Sequence, residues 1–396
     1  MRPTLVASVA LVAGLVMIPA GVAAADQGGK EDSHSDVRTV AVYGDSPYGT
    51  TPTDTAQVQA TPAFIGSINA DPDVSLVLHV GDIHSGKQYC TEAYDRQVFD
   101  LWKSFADPLV YTPGDNEWTD CNKKAEGGGL YNAVTGQIDY VLDASKNPVD
   151  YASGDPVANL DLVRSIFFAK PGVSLGQKPI RVISQSKVYD RRFPTDAKFV
   201  ENVMFERDDV VYVTVNIPGG SNNDSDVWYA APAANETKAQ SDERSERNDA
   251  TKHWLDTAFR FAQEEHARGV VISAQADMWD PEKGAAHQAG YEPIVSALAA
   301  DVAAFGRPVL MLNGDSHVYR SDNPLSPTAG CTWELATPCP SDAYIHPGYD
   351  VANFHRVVVH GSTTPLEWLK LTVDPEANGA GDNAVGPFSW VRQTQS

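Results

Sequence analysis

Four times in this chain a short apolar, β-rich run stops within a few residues of Gly-Asp: Thr39–Tyr43 before Gly44-Asp45, Val74–Val80 before Gly81-Asp82, Leu109–Tyr111 before Gly114-Asp115, and Val309–Leu312 before Gly314-Asp315. Helical segments over about 55–69 and 92–105 separate the first three runs. Strand, helix, strand, helix, strand is the signature of parallel β-α-β units. In an open α/β sheet, ligands bind in the crevice beyond the carboxyl ends of the strands. Asp45, Asp82, Asp115 and Asp315 are therefore expected along one edge. Two other pairs, Gly154-Asp155 and Gly381-Asp382, lie in polar stretches and read as turns. Gathering four carboxylates is costly unless cations cancel the charge. Divalent ions do so, and acidic oxygens with one or two imidazoles make a good bed for them.

The remaining chain continues the α/β pattern. Val203–Phe205 and Val210–Ile217 read as an antiparallel hairpin, and 221–240 as a polar loop. From Asp242 to Arg268 comes the longest helix, with Trp254, Leu255, Ala258, Phe259 and Ala262 at helical spacing and Gly269 as its stop. Val270–Ile272 is a strand, 292–305 a helix, and Phe354–His360 and Leu366–Val373 are strands. The segment 118–187 reads as an insertion at the mouth of the site, with one helix near Leu160–Phe168.

At the N-terminus, Arg2, an apolar run over Leu5–Ile18, Pro19, Gly21 and Ala23-Ala24-Ala25 spell a secretory signal peptide. The run is shorter than the ~20 residues of a spanning helix. The expected organisation is a signal peptide over 1–25 cleaved after Ala25, a flexible leader over 26–37, and one domain over 38–396, secreted and without a membrane span. With 30 Lys and Arg against 52 Asp and Glu, the charge argues against nucleic acid or anionic membrane as partner. Metal ions would supply the positive charge that a phosphate needs. Four cysteines in an exported chain form two disulfides by default. The local pairs Cys90–Cys121 and Cys331–Cys339 are favoured because each closes a short loop.

The order Gly44-Asp45, Gly81-Asp82, Gly114-Asp115-Asn116-Glu117 and Gly314-Asp315-Ser316-His317 resembles the calcineurin-like metallophosphoesterases, including their purple acid phosphatase branch, over roughly 39–320. Their pattern runs Gly-Asp, Gly-Asp, Gly-Asn-His-Asp/Glu, a lone His after a strand, then Gly-His-x-His. The resemblance implies a four-layer α-β-β-α sandwich of two mixed sheets with a dinuclear site at one edge. It implies that Asp45 binds one metal, Asp82 bridges both, and His317 binds the first. Asp115 stands for a metal-binding Asn, and Asp315 for the first His of the last motif. Four imidazoles are replaced, at Pro47, Asn116, Gln275 and Asp315. The expected cofactor is a pair of divalent ions (Mn, Mg, Ca or Fe/Zn) on Asp45, Asp82, Asp115, Gln275, Asp315 and His317. Oxygen-rich donors suit the harder ions better than Zn.

The implied activity is hydrolysis of a phosphoester, such as a phosphorylated small molecule, by a metal-bridging hydroxide. Asn116 is expected to hydrogen-bond a phosphate oxygen, and His84 to ligate or to move a proton. Asn223 and Arg320 are expected to contact substrate, with a plain turn and a salt bridge as their alternative readings. Tyr48 does not match the spacing of the purple phosphatases' tyrosine. The rival function is a catalytically weak or inactive relative that serves as a secreted ligand- or partner-binding scaffold. Ser-His-Asp catalysis lacks a Gly-x-Ser-x-Gly elbow placed after a strand, and no glycine-rich phosphate loop supports a nucleotide-binding class.

Overall fold

The computed structural model describes residues 37–223, 226–280, 283–326, 330–335, 339, 348–363 and 366–394. The expected signal peptide and almost all of the leader lie outside the described residues. β1 (Arg38–Tyr43), α1 (Ala56–Asn69), β2 (Val74–His79), α2 (Glu92–Trp102) and β3 (Leu109–Tyr111) follow in order. The three strands are parallel, with Val42 opposite Leu78 and Leu78 opposite Val110. These strands are buried on both faces, which is why they read as continuous apolar runs rather than alternating ones.

The inserted segment forms a hairpin of β4 (Gly129–Asn132) and β5 (Gln137–Tyr140), then α3 (Pro156–Phe167). Asp155 caps α3 by accepting from the Ala158 N–H, with Pro156 in its first turn. Leu162, Val163, Ile166 and Phe167 carry this helix onto the outer face of the first sheet. Part of the segment 118–187 is therefore core rather than rim, because the apolar stripe of α3 needs cover.

β6 (Ile183–Ser184), β7 (Val203–Arg207) and β8 (Val210–Thr214) start the second sheet. A single turn, α4 (Gly219–Asn222), precedes α5 (Lys238–Glu264) and β9 (Gly269–Ser273). The Thr237 side chain caps α5, so the helix begins four residues before Asp242 and consumes the end of the expected polar loop. Gly269 opens β9 instead of ending the helix. α6 (Ala285–Ala289), α7 (Glu292–Phe305), β10 (Val309–Asn313), β11 (Arg320–Asp322), β12 (Cys331–Trp333) and β13 (Phe354–Val358) follow. β14 (Glu367–Val373), β15 (Gly379–Gly381), β16 (Ala384–Gly386) and β17 (Phe388–Thr394) return to the first sheet.

The sheet orders are β15-β16-β17-β14-β1-β2-β3 and β12-β11-β13-β10-β9-β8-β7-β6. Both mix parallel and antiparallel neighbours. Val40, Val42, Leu76 and Leu78 of one sheet meet Val271, Leu310, Leu312 and Val357 of the other. Each such buried side chain contributes about 1.5–3 kcal/mol of transfer free energy. Helices α1, α2 and α3 cover the far face of the first sheet, and α5 and α7 that of the second. The result is the expected four-layer α-β-β-α sandwich. The disulfides Cys90–Cys121 and Cys331–Cys339 both form. No helix among the described residues is long and apolar enough to cross a membrane.

Candidate metal centre

The strand ends β1, β2 and β3 bring Asp45, Asp82 and Asp115 to the place where β9 and β10 bring Gln275 and Asp315. Main-chain bonds stitch these loops together. The Asp45 N–H donates to the Gly81 carbonyl (3.0 Å), the Ser46 N–H to that of Asp82 (3.1 Å), and the Gly314 N–H to that of Gln275 (3.0 Å). Asp45, Asp82, Asp315 and His317 have φ of 49°, 60°, 72° and 64°. Such left-handed backbone costs non-glycine residues of order 1–3 kcal/mol each and is held only where surroundings impose it. Gly114 permits the closest approach, since a Cβ there would stand 1.9 Å from Asp82 Oδ1.

At the centre, Asp82 Oδ2 accepts from the Tyr48 hydroxyl (2.6 Å), Asn116 Nδ2 (3.0 Å) and Gln275 Nε2 (3.2 Å). Asn116 Nδ2 also donates to the Tyr48 hydroxyl (2.9 Å). His317 Nε2 lies 3.3 Å from that hydroxyl and 3.4 Å from Asp45 Oδ1. One donor atom each from Asp45, Asp82 and His317 falls within 4.8 Å of the others. That separation fits oxygens and a nitrogen sharing one cation at ~2.0–2.6 Å.

Burial pushes the carboxyls of Asp45, Asp82 and Asp115 well above the usual range, and neighbouring carboxylates push the same way. Burial also raises Asp315, to about 7, and lowers His317 to about 4. Asp45 Oδ2 is buried with no hydrogen-bond partner. A divalent cation would reverse the cost of each of these carboxylates, so the donor set fits one.

The cluster opens into a cleft of about 390 Å³ lined by Tyr48, Asp82, Asn116, Asp315, His317 and the loops at 49–50, 85–87 and 362. Lys87 is exposed at its rim. Behind the cleft, Glu117 accepts from the Gly114 N–H (2.7 Å) and the Tyr111 hydroxyl. The Asp277 N–H donates to Asp315 Oδ2 (2.9 Å), and the Ser316 hydroxyl to Asp277 Oδ2 (2.9 Å). Arg356, wholly buried, bonds both Asp277 and Asp322. His79 Nδ1 accepts from the Gly81 N–H (3.2 Å), which leaves Nε2 to donate to the Ser46 carbonyl (3.0 Å).

Three expected residues, His84, Arg320 and Asn223, stand neither in the acidic cluster nor in the lining of the cleft. His84 is fully buried, with Nδ1 3.3 Å from the Ser85 carbonyl, Nε2 3.7 Å from Cys90 Sγ and its ring edge-on to Tyr94. Burial lowers its pKa to about 4. Its cluster with Cys90 and Cys121 is no metal site, because the two sulfurs are bonded to each other. Arg320 is also buried. Its Nε donates to Asp322 (2.6 Å) and its guanidinium lies over Trp333, so it joins the Arg356 ion network. The Asn223 side chain accepts from the Thr119 hydroxyl (2.5 Å) on a left-handed turn, in line with the turn reading. Gln275 does reach the cluster, but it presents Nε2 to Asp82 and to Asp115 Oδ1 (3.1 Å).

Tyr48 and Lys87 had no place in the expected set. Tyr48 stands three residues beyond Asp45 on the same loop, and that proximity was the available signal. Nothing in the sequence singles out Lys87.

The calcineurin-like phosphoesterase family profile matches residues 32–256, and the chain belongs to that family. By its description the family is one of phosphoesterases. The matched span holds Asp45, Asp82, Asp115 and Asn116, while Gln275, Asp315 and His317 lie beyond it. A purple acid phosphatase isolated from yellow lupin (Lupinus luteus) seeds is a similar solved structure, with 12% identity, a TM-score of 0.38, and 86% of this chain and 50% of that chain covered. The chain thus spans half the length of that phosphatase. No curated protein matches the sequence.

Proposed function

We infer that this protein cleaves phosphoesters in the cleft beside Asp45, Asp82 and His317. The observation that carries the reading is the convergence of their donor atoms to within 4.8 Å beside an open cleft. Asp45, Asp82 and His317 would hold a divalent cation, with the Tyr48 hydroxyl beside them. Such a cation supplies a Lewis acid that acidifies water and offsets charge on the phosphoryl oxygens. The second cation expected from the sequence would fall among Asp82, Asp115 and Asp315.

The chain's own residues complete the chemistry. Asn116 can turn an Nδ2–H to a phosphate oxygen from its place on Asp82 and Tyr48. An amide does not titrate usefully, so Asn116 gives the leaving alcohol no proton, and His84 is sealed away from the cleft. Lys87 at the rim pairs with the incoming phosphate. A missing general acid costs typically about 10²–10⁴-fold, so aryl phosphates should turn over far faster than alkyl phosphates. The two disulfides suit an oxidising compartment, which supports the exported reading.

The test is initial rates on p-nitrophenyl phosphate, bis(p-nitrophenyl) phosphate and an alkyl phosphate, using protein stripped of metal and reloaded with Mn, Mg, Ca or Zn. Metal-dependent cleavage of an aryl ester, abolished in Asp82→Ala, is expected. No turnover with any metal would favour the scaffold reading, to which the amide at Asn116 lends support.

A further inference from the structure

Gln275 is wholly buried at the end of β9, between two of the carboxylates that a second cation would need. Its amide has one workable orientation. Oε1 accepts the Gly219 N–H at 2.5 Å. The two Nε2 hydrogens go to Asp82 Oδ2 (3.2 Å) and Asp115 Oδ1 (3.1 Å). Amide oxygen and nitrogen are assigned from such networks, and here the network leaves no ambiguity. Exchanging them would set Nε2 against the Gly219 N–H, donor against donor. It would also set Oε1 against two carboxylate oxygens, acceptor against acceptor.

The buried Gly219 N–H thus fixes the sense of the side chain. Gly219 itself has no room for a side chain. A Cβ there would stand 2.4 Å from Asp115 Oδ2 and 2.8 Å from Asp315 Oδ1. Asp315 is held from its other side by the Asp277 N–H on Oδ2 (2.9 Å). For Oε1 to face a cation between Asp82 and Asp115 it would have to take the place that Nε2 now holds, leaving the buried Gly219 N–H without its acceptor.

We propose that this centre takes one divalent cation, at Asp45, Asp82 and His317, and that the Nε2–H groups of Gln275 occupy the second metal position by bonding Asp82 and Asp115. The inference rests on the metal-binding reading above and narrows it. The expected metal pair becomes one ion plus an amide, so two N–H donors stand where a second Lewis acid would sit.

The test is Mn²⁺ binding to the metal-stripped full chain, by calorimetry and by elemental analysis after dialysis, with electron paramagnetic resonance on the loaded protein. One ion per chain and the spectrum of an isolated Mn²⁺ are expected for the natural sequence. Gln275→His and Gln275→Glu, each removing the paired donors and adding a ligand, should take a second ion and show spin coupling. Two variants are used so that one misfolded protein, identified by its melting curve, does not decide the matter. Two ions on the natural sequence would overturn the proposal while leaving metal binding intact. No ion at all would overturn the metal-binding reading itself. One ion in the natural sequence and in both folded variants would overturn the role given to Gln275.

Discussion

The hydroxyl of Tyr48 donates to Asp82 Oδ2 across 2.6 Å while it accepts from Asn116 Nδ2 at 2.9 Å. A phenol from the first loop thus stands in the middle of the acidic cluster. In Tyr48→Phe, Asp82 keeps only the amides of Asn116 and Gln275 on that oxygen. Metal affinity should fall about 10–100-fold, the range for losing a partner that orients a ligand. Calorimetric titration with Mn²⁺ measures it, and an unchanged affinity would make the hydroxyl a bystander.

Asp45 tests the cost of the cluster. Its carboxyl is raised above the usual range by burial, and the Asp315 N–H on Oδ1 only partly offsets this. A carboxyl raised on folding stabilises fully below its unfolded pKa, and the benefit is lost as pH rises toward the folded value. In EDTA, Asp45→Asn should therefore be the more stable protein at pH 8, by about 1–3 kcal/mol, with the gap closing toward pH 4. Added Mn²⁺ should raise the melting temperature of the natural sequence and leave that of the variant where it was. Scanning calorimetry across pH, with and without metal, reads both effects.

His84 should behave as a packing residue. Its pKa falls from 6.5 to about 4 on burial. Its contribution is present above the unfolded pKa and is lost as pH falls toward the folded one. Relative to His84→Phe, the natural sequence should lose up to about 3 kcal/mol between pH 6.5 and 4. Activity at neutral pH should survive the substitution. Urea melts over that interval and a rate at pH 7 check the two halves.

Arg356 is the counter-charge of two buried carboxylates, Asp277 and Asp322. Arg356→Met leaves both without it and should cost about 3–5 kcal/mol, read as a shift in the urea midpoint. The loop that carries Asp315 hangs from the Asp277 N–H, so metal affinity should weaken in parallel.

Lys87 faces the cleft from its exposed rim. Lys87→Ala should raise KM for an aryl phosphate about 10-fold with kcat little changed, the mark of binding shared by ground and transition states. The difference should shrink in high salt.

The scaffold of this site was legible because its signal is local. An apolar run that stops at Gly-Asp announces a strand end, and β3 (Leu109–Tyr111) and α7 (Glu292–Phe305) fall where the pattern puts them. The gathering of Asp45, Asp82, Asp115 and Asp315 follows from parallel strands sharing one edge. Side-chain direction was not legible, because partners distant in sequence set it. His84 is two residues from Asp82, yet it turns to the Cys90–Cys121 disulfide. Arg320 is three residues from His317, yet β11 directs it to Asp322. Gln275 stands where the family pattern has a ligand, and the sense of its amide is decided by an N–H 56 residues away.

β1 runs between β2 and β14, and the Asp45 carbonyl accepts from the Ser362 N–H at 2.8 Å. The loop bearing the first aspartate is thus clasped by chain that leaves the ribosome long after it. A nascent polypeptide already carrying Asp45, Asp82 and Asp115 lacks both His317 and this clasp, so it has no selective grip on an ion. Ion choice should then wait until His317 and Ser362 have docked, and should follow the supply of metals where that happens.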